Sequence, residues 1–138
     1  MLDFTTSIGQ VIERRLQQEQ IIWLTTVDAQ GTPQPRPVWF HWDGETLLIF
    51  SQPGAAKIRH ISRNPRVALN FNTSADGGAV GVVTGEARLA QAPLDPQRWQ
   101  AYSSKYAAGI QDLGTTPEAM LGEYQAVLLV TPTALRGF

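Results

Sequence analysis

The stretch GTPQPRPVWFHWDG, Gly31–Gly44, decides the fold. Pro33, Pro35 and Pro37 stand at alternate positions, aromatics follow, and Asp43-Gly44 gives a hairpin signal ahead of TLLIF. The pattern asks for a strand, yet proline has no N–H to give to a ladder. Neighbouring N–H groups of a strand point to opposite lateral sides, so residues two apart point the same way. The three missing donors therefore lie along one edge, and the other edge pairs normally. Proline in sheets belongs on such edges or at bulges. The segment is expected to be a strand open on one side where it begins, with something other than a neighbouring strand against the opening.

Before this stretch, TTSIGQVIERRLQQ reads as a short capped helix with Ile8, Val11, Ile12 and Leu16 on one stripe. QIIWLTTVDAQG then reads as a strand closed by a turn at Asp28–Gly31. After it, TLLIFS is a third strand, and Pro53 suits the first turn of a helix through GAAKIRHISRN. Asn64-Pro65 stops that helix. RVALNFN is a fourth strand with Val67, Leu69 and Phe71 on one face. AVGVVTGEARLA is a fifth, and its face of Gly81, Val83, Gly85, Ala87 and Leu89 is small enough to suit a tightly curved sheet. A polar helix, LDPQRWQAYSSKYA, interrupts the strands before EYQAVLLVTPTALRGF closes the chain as a sixth. Hairpin-joined strands without regular strand–helix alternation predict a mainly β, α+β protein. The expectation is one six-stranded antiparallel barrel spanning residues 1–138, without linker or repeat.

A chain of 138 residues with 43% hydrophobic and 17% charged residues has the composition of one globular domain. Its net charge of −1 gives no global case for nucleic-acid or membrane binding, so any electrostatic argument must be local. The absence of cysteine excludes disulfides, thiolate metal sites and thiol catalysis. MLDFTTSIGQ lacks a basic region with an apolar core behind it, and no apolar run approaches the roughly 20 residues of a membrane span. A cytoplasmic location is expected. His41 and His60 stand apart without a carboxylate at ligand spacing, so no metal is expected. No nucleophile elbow, Rossmann fingerprint or P-loop is present.

The distinctive local charge lies in residues 46–75, which hold Lys57, Arg59, Arg63 and Arg66 and no acid. Arg36 and His60 can add to that field. Lys57 falls one turn into a helix whose N-terminal amides are an anion site, and Ser51 precedes it with a hydroxyl. From spacing alone the plainer reading, solvated cations on one helix face, is favoured. Against it stands the proline edge, which can accept a planar ligand beside the anion site. A chain with such a site and no evident nucleophile, metal or acid–base pair invites a cofactor that carries the chemistry.

The run from Gly31 to Phe71 resembles the core of the pyridoxamine-phosphate-oxidase-like split barrels, especially the branch of F420-dependent flavin/deazaflavin oxidoreductases. The shared pattern is G-x-P, then PVWFxWDG, then Ser51 followed six residues on by Lys57, then NPRV. VTGEARL and TPTALRGF extend it, so the likeness covers about Ile21 to Phe138. The resemblance implies an FMN-binding-like split barrel and a homodimer with a cofactor site, for F420 or FMN, at each interface. It also implies that Arg36, Pro37, Val38 and Trp39 line the ring system, and that Phe50 and Ser51 follow the linker. Lys57 would hold the phosphate, with Arg59 and Arg63 toward an anionic tail. F420 needs a longer cationic track than FMN. Arg59 and Arg63 are i,i+4, but Lys57 lies about 200° around the helix from Arg59, so FMN stays in play. The likeness to the PVWFxWDG branch puts F420 first. The implied activity is hydride transfer to or from a small organic substrate, with Tyr102, Tyr106 and Tyr124 as possible proton donors. The alternatives are an FMN oxidoreductase of the pyridoxamine-phosphate-oxidase type and a non-catalytic flavin or tetrapyrrole binder. An oligonucleotide-binding barrel would want aromatics on a basic sheet face, which the helix-borne cations do not supply.

Overall fold

The computed structural model describes residues 2–90 and 95–138. The elements in chain order are α1 (Ser7–Gln18), β1 (Ile22–Val27), β2 (Pro33–Val38), β3 (His41–Trp42), β4 (Leu47–Ser51), α2 (Ala56–Arg63) and β5 (Arg66–Asn70), followed by β6 (Gly81–Leu89), α3 (Pro96–Lys105), α4 (Ala107–Asp112), α5 (Pro117–Glu123) and β7 (Ala126–Gly137). Leu94, at the start of the expected polar helix, lies outside the described residues; the helix itself begins at Pro96 behind the cap Asp95.

Every strand pairing is antiparallel, in the order β2-β1-β5-β6-β7-β4-β3. β2 and β3 form opposite edges of this sheet, yet only Trp39 and Phe40 separate them in the chain. Val38 and His41 are three Cα steps apart, a span of at most about 11 Å, so the sheet must curl until its edges almost meet. That curl makes the half-barrel. The strand expected as one piece from the prolines to Asp43 is therefore two, and the described residues form seven strands rather than six. The chain leaves one edge at Val38 and joins the other at His41, because no single partner can follow it around the closure.

The proline strand behaves as an edge should. β2 pairs only with β1, in an unbroken register from Ile22↔Val38 to Val27↔Pro33. A ladder without a gap requires the three proline nitrogens to face the free edge. The hairpin after β3 turns at Gly44, whose φ of +99° suits glycine, while the Asp43 carboxylate accepts from the amides of Glu45 and Thr46 at 2.8 and 2.7 Å. On β6 the small face is buried at Gly81, Val83, Gly85 and Ala87, as expected. A Cβ at Gly85 would stand 2.5 Å from the Thr131 carbonyl oxygen, next to the register shift between Thr84 and Gly85 that bends the sheet.

Two apolar clusters hold the fold. Inside the curl, Leu24, Phe40, Leu47, Ile49, Leu69, Val83 and Val130 pack with Ile12 and Leu16 of α1. α1 starts at Thr6, whose hydroxyl accepts from the Gly9 amide at 2.9 Å, a cap worth about 1 kcal/mol. Outside it, Leu48, Phe50 and Leu129 pack against Tyr102, Tyr106, Ile110 and Met120 of α3–α5. All five residues of β4 are consequently buried. A strand covered on both faces reads as a continuous apolar run rather than an alternating one, which accounts for TLLIF. Among the described residues no helix is long and apolar enough to cross a membrane.

Candidate functional site

β1 and β2 put Thr26 opposite Gln34 and Leu24 opposite Arg36, so these four side chains share one face. α2 lies against that face, and Ile61 anchors it in the core at 4% exposure. Pro53 does not begin the helix, as the sequence suggested. It lies in the preceding turn, where the Ala55 amide donates to Gln52 O at 3.1 Å, and Ala55 is the N-cap with no side-chain cap bond. The cap amides are thus free of a side-chain acceptor. Between the two elements lies a cleft of about 420 Å³, walled by Thr26, Gln34, Arg36 and Pro37 on the strands and by Ala55, Ala56, Lys57 and His60 on the helix.

Among the described residues no carboxylate lines this cleft. Burial, reinforced by the nearby Arg36 guanidinium, holds the Lys57 ammonium below the usual lysine range. Two cations held close without an acid between them repel, and a bound anion would relieve that repulsion. Asp28, at the β1–β2 turn, is committed elsewhere. Its carboxylate accepts from the amides of Gln30 and Thr32, both at 2.9 Å, and from Gln34 Nε2 at 3.0 Å.

A second hollow of about 180 Å³ continues from the first, since Pro37 and Lys57 line both. Its walls are Val38 and Trp39 from the crossing, Phe50 from β4, and Tyr102, Leu113, Met120 and Tyr124 from the helical segment. Trp39 is fixed by stacking on Tyr106, with ring centroids 4.5 Å apart and planes 1° from parallel. Phe50 meets Trp99 and Tyr102 edge-on at 4.9 and 4.6 Å. The pair of hollows is an aromatic slot opening onto a cationic cleft. A third groove, of about 620 Å³, is larger and runs along the other face of β1, past Thr25 and Val27. Its charges, Arg66 and Glu86, stand opposite each other in register and offset, so it has no converging field.

Of the residues singled out in the sequence, Arg36, Pro37, Val38, Trp39, Phe50 and Lys57 therefore meet in one continuous site. The other three stand apart from its lining. Ser51 is buried, and its hydroxyl donates to Gln52 O at 3.0 Å. Arg59 is exposed and donates to Gly54 O at 3.2 Å. Arg63 is exposed in the last turn of α2. Tyr102 and Tyr124 face the slot, whereas the Tyr106 hydroxyl accepts from Phe40 N at 2.8 Å and donates toward Gln20 O and Phe40 O at 2.7 and 2.9 Å. Burial raises the Tyr102 phenol well above its ordinary value, so it stays protonated.

Sequence reasoning missed Thr26, Gln34, Leu113 and Met120 as walls of the site, and placed His60 only as an addition to the cationic field. For Leu113 and Met120 the signal was the unbroken apolar run of β4, which demanded a second cover that one polar helix could not supply.

A family model described as pyridoxamine 5'-phosphate oxidase matches residues 8–137. The chain belongs to the pyridoxamine 5'-phosphate oxidase family. Within that family, the pyridoxine/pyridoxamine 5'-phosphate oxidase of Citrobacter koseri is 32% identical over 69 residues. The aligned stretch spans 49% of this chain and 32% of that relative's length. A solved F420 reductase is 26% identical, with a TM-score of 0.65 over 90% of this chain and 94% of that one. The heme storage protein HutZ of Vibrio cholerae shares the fold at 17% identity and a TM-score of 0.65, covering 96% of this chain and 95% of its own. The expected split barrel is thus the fold of this family, and the half-barrel described above is its form in this chain.

Proposed function

We propose that the chain is an oxidoreductase that holds F420 in the two joined hollows and reduces or oxidises a small organic substrate. The observation that carries this reading is the continuity of the aromatic slot and the cationic cleft through Pro37 and Lys57. A flat heterocycle with a phosphate-bearing arm has that polarity. The F420 reductase, similar over nine-tenths of the chain, favours F420 over FMN. FMN is the second reading, favoured by the exposed positions of Arg59 and Arg63 outside the cleft.

In this reading the two-electron hydride chemistry belongs to the cofactor when bound. The protein binds and orients. Lys57 and Arg36 would neutralise the phosphate, the amides at the start of α2 would donate to it, and Trp39 and Phe50 would fix the ring plane. Leu113, Met120 and Tyr124 would keep water off that ring. Tyr124 faces the slot and is the candidate to give a proton to the substrate; Tyr102, whose buried phenol holds its proton, and Tyr106, engaged by backbone groups, are not. As in the resemblance, we propose a cytoplasmic homodimer in which a second copy completes each site.

The test is titration of the purified protein with F420 and with FMN, followed by cofactor fluorescence and visible absorbance. Saturable binding of F420, tighter than that of FMN, is expected. Tight FMN binding without F420 binding would replace F420 by FMN, and binding of neither would overturn the reading. Light scattering at micromolar concentration should give twice the 15.2 kDa chain mass; a monomer at all concentrations refutes the shared site.

A further inference from the structure

The inward-facing row of β1 reads Ile22, Leu24, Thr26, all 1% exposed or less. A hydroxyl at the end of an apolar row needs a partner, and here it has one: Thr26 Oγ1 lies 2.8 Å from His60 Nδ1. His60 sits three residues after Lys57 on the same face of α2, and both line the cleft. Its Nδ1 is taken by Thr26, and Nε2 has no hydrogen-bond partner among the described residues.

We infer that His60 contacts the ligand, held by Thr26 as the Nε2–H tautomer so that it gives the bound anion a third donor beside Lys57 and Arg36. The inference rests on reading the cleft as a cofactor phosphate site. The two tautomers have opposite consequences there. If the Thr26 hydroxyl donates to Nδ1, the ring proton sits on Nε2 and can meet a phosphate oxygen. If Nδ1–H donates to Thr26 instead, Nε2 presents a lone pair to the cleft and repels an anion. Thr26 can play either part, but for a neutral ring only the first is compatible with a phosphate at the cleft, so an anion and the hydroxyl select the same tautomer. Orientation of an imidazole through its second nitrogen is a familiar device in ligand sites.

The experiment uses whichever of FMN and F420 the wild type binds, beside its phosphate-free core, riboflavin or the deazaflavin. Both are titrated against wild type, His60→Gln, His60→Phe and Thr26→Val, with thermal unfolding as the folding control. Loss of one hydrogen bond to a charged group predicts about a tenfold weaker phosphorylated cofactor for His60→Phe, with the core unaffected. His60→Gln keeps a donor and should stay within about threefold. Nitrogen-15 imidazole spectra, assigned with His41→Gln, should show Nε2–H at His60 in wild type and mixed tautomers in Thr26→Val. Equal losses for cofactor and core, or a His60 that keeps its proton on Nδ1 with cofactor bound, would overturn the inference and leave a purely structural Thr–His pair. If wild type binds neither cofactor, the function proposed above fails first. Inorganic phosphate then decides separately: a saturable shift of the His60 Nε2 resonance supports the inference, and no shift overturns it.

Discussion

Replacing Tyr106 by Phe tests whether the closure of the barrel and the cofactor site can be separated. The Tyr106 hydroxyl accepts from Phe40 N at 2.8 Å, and Phe40, in the two-residue crossing between sheet edges, is 0% exposed. Removing the hydroxyl leaves that N–H buried without a partner, at a cost of about 1–3 kcal/mol. The Phe40 carbonyl is not orphaned, because Lys105 Nζ donates to it at 2.8 Å, and Gln20 is exposed enough for water to take its carbonyl. The sum is about 2–3 kcal/mol, or roughly 6–12 °C in Tm for a chain of this size. The ring survives, and with it the stacking that fixes Trp39 in the slot. Urea unfolding should therefore show a lower midpoint at unchanged slope, while cofactor affinity moves by less than about threefold. A loss below about 0.5 kcal/mol would mean that Phe40 N–H finds another partner and that Tyr106 does not lock the crossing.

Lys57→Ala should do the reverse. Cofactor affinity should fall about 10- to 150-fold on titration, with unchanged or slightly raised stability, because the half-buried ammonium is already disfavoured beside Arg36. Burial pushes Lys105 down to about 8, so between pH 8 and its unfolded value near 10.5 the unfolded chain binds more protons. Stability should rise with pH across that window, and Lys105→Met should flatten the rise in urea titrations at each pH. Above about pH 10 the raised phenols of Tyr102 and Tyr106 act oppositely, since the unfolded chain loses their protons first and stability falls. Arg59→Gln with Arg63→Gln should flatten the salt dependence of F420 binding and leave FMN nearly unchanged, because screening over about 8 Å acts on a polyanionic tail more than on a close phosphate contact; equal losses for both cofactors would refute a role at the tail.

Much of this was legible in the sequence for reasons that are local. Three prolines at period two can only be an edge, and β2 is one. The sequence places Lys57 early in a helix behind a strand, where helix physics favours an anion, and Lys57 does line the cleft between α2 and β2. The illegible parts depend on distant partners. Nothing within VWFHW says that the chain changes sheet edges at Trp39 and Phe40; that follows from Tyr106 and Lys105, 66 and 65 residues later, which fasten Phe40. The spacing of Arg59 and Arg63 gave their angle around the helix but not where the cleft lies, and both fall outside its lining. Ser51 belonged to a buried strand end rather than to the helix mouth. His60 was visible only as a spare cation, because its meaning comes from Thr26 across the cleft.

The prolines also explain why an open edge can survive at all. An unpaired strand edge is a template for another chain, and proteins blunt such edges with charge, bulges or proline. On β2 the blunting residues are also site residues, since Pro37 lines both hollows and Arg36 bears on Lys57. Had valine stood at these positions, each free N–H would seek a strand, and a strand arriving there would pair along the mouth of the cleft. Proline satisfies both demands with one substitution of chemistry, because it removes the donors that invite pairing while leaving carbonyls and a rigid backbone beside the hollows. The motif that made the fold readable is thus the same device that keeps the site open.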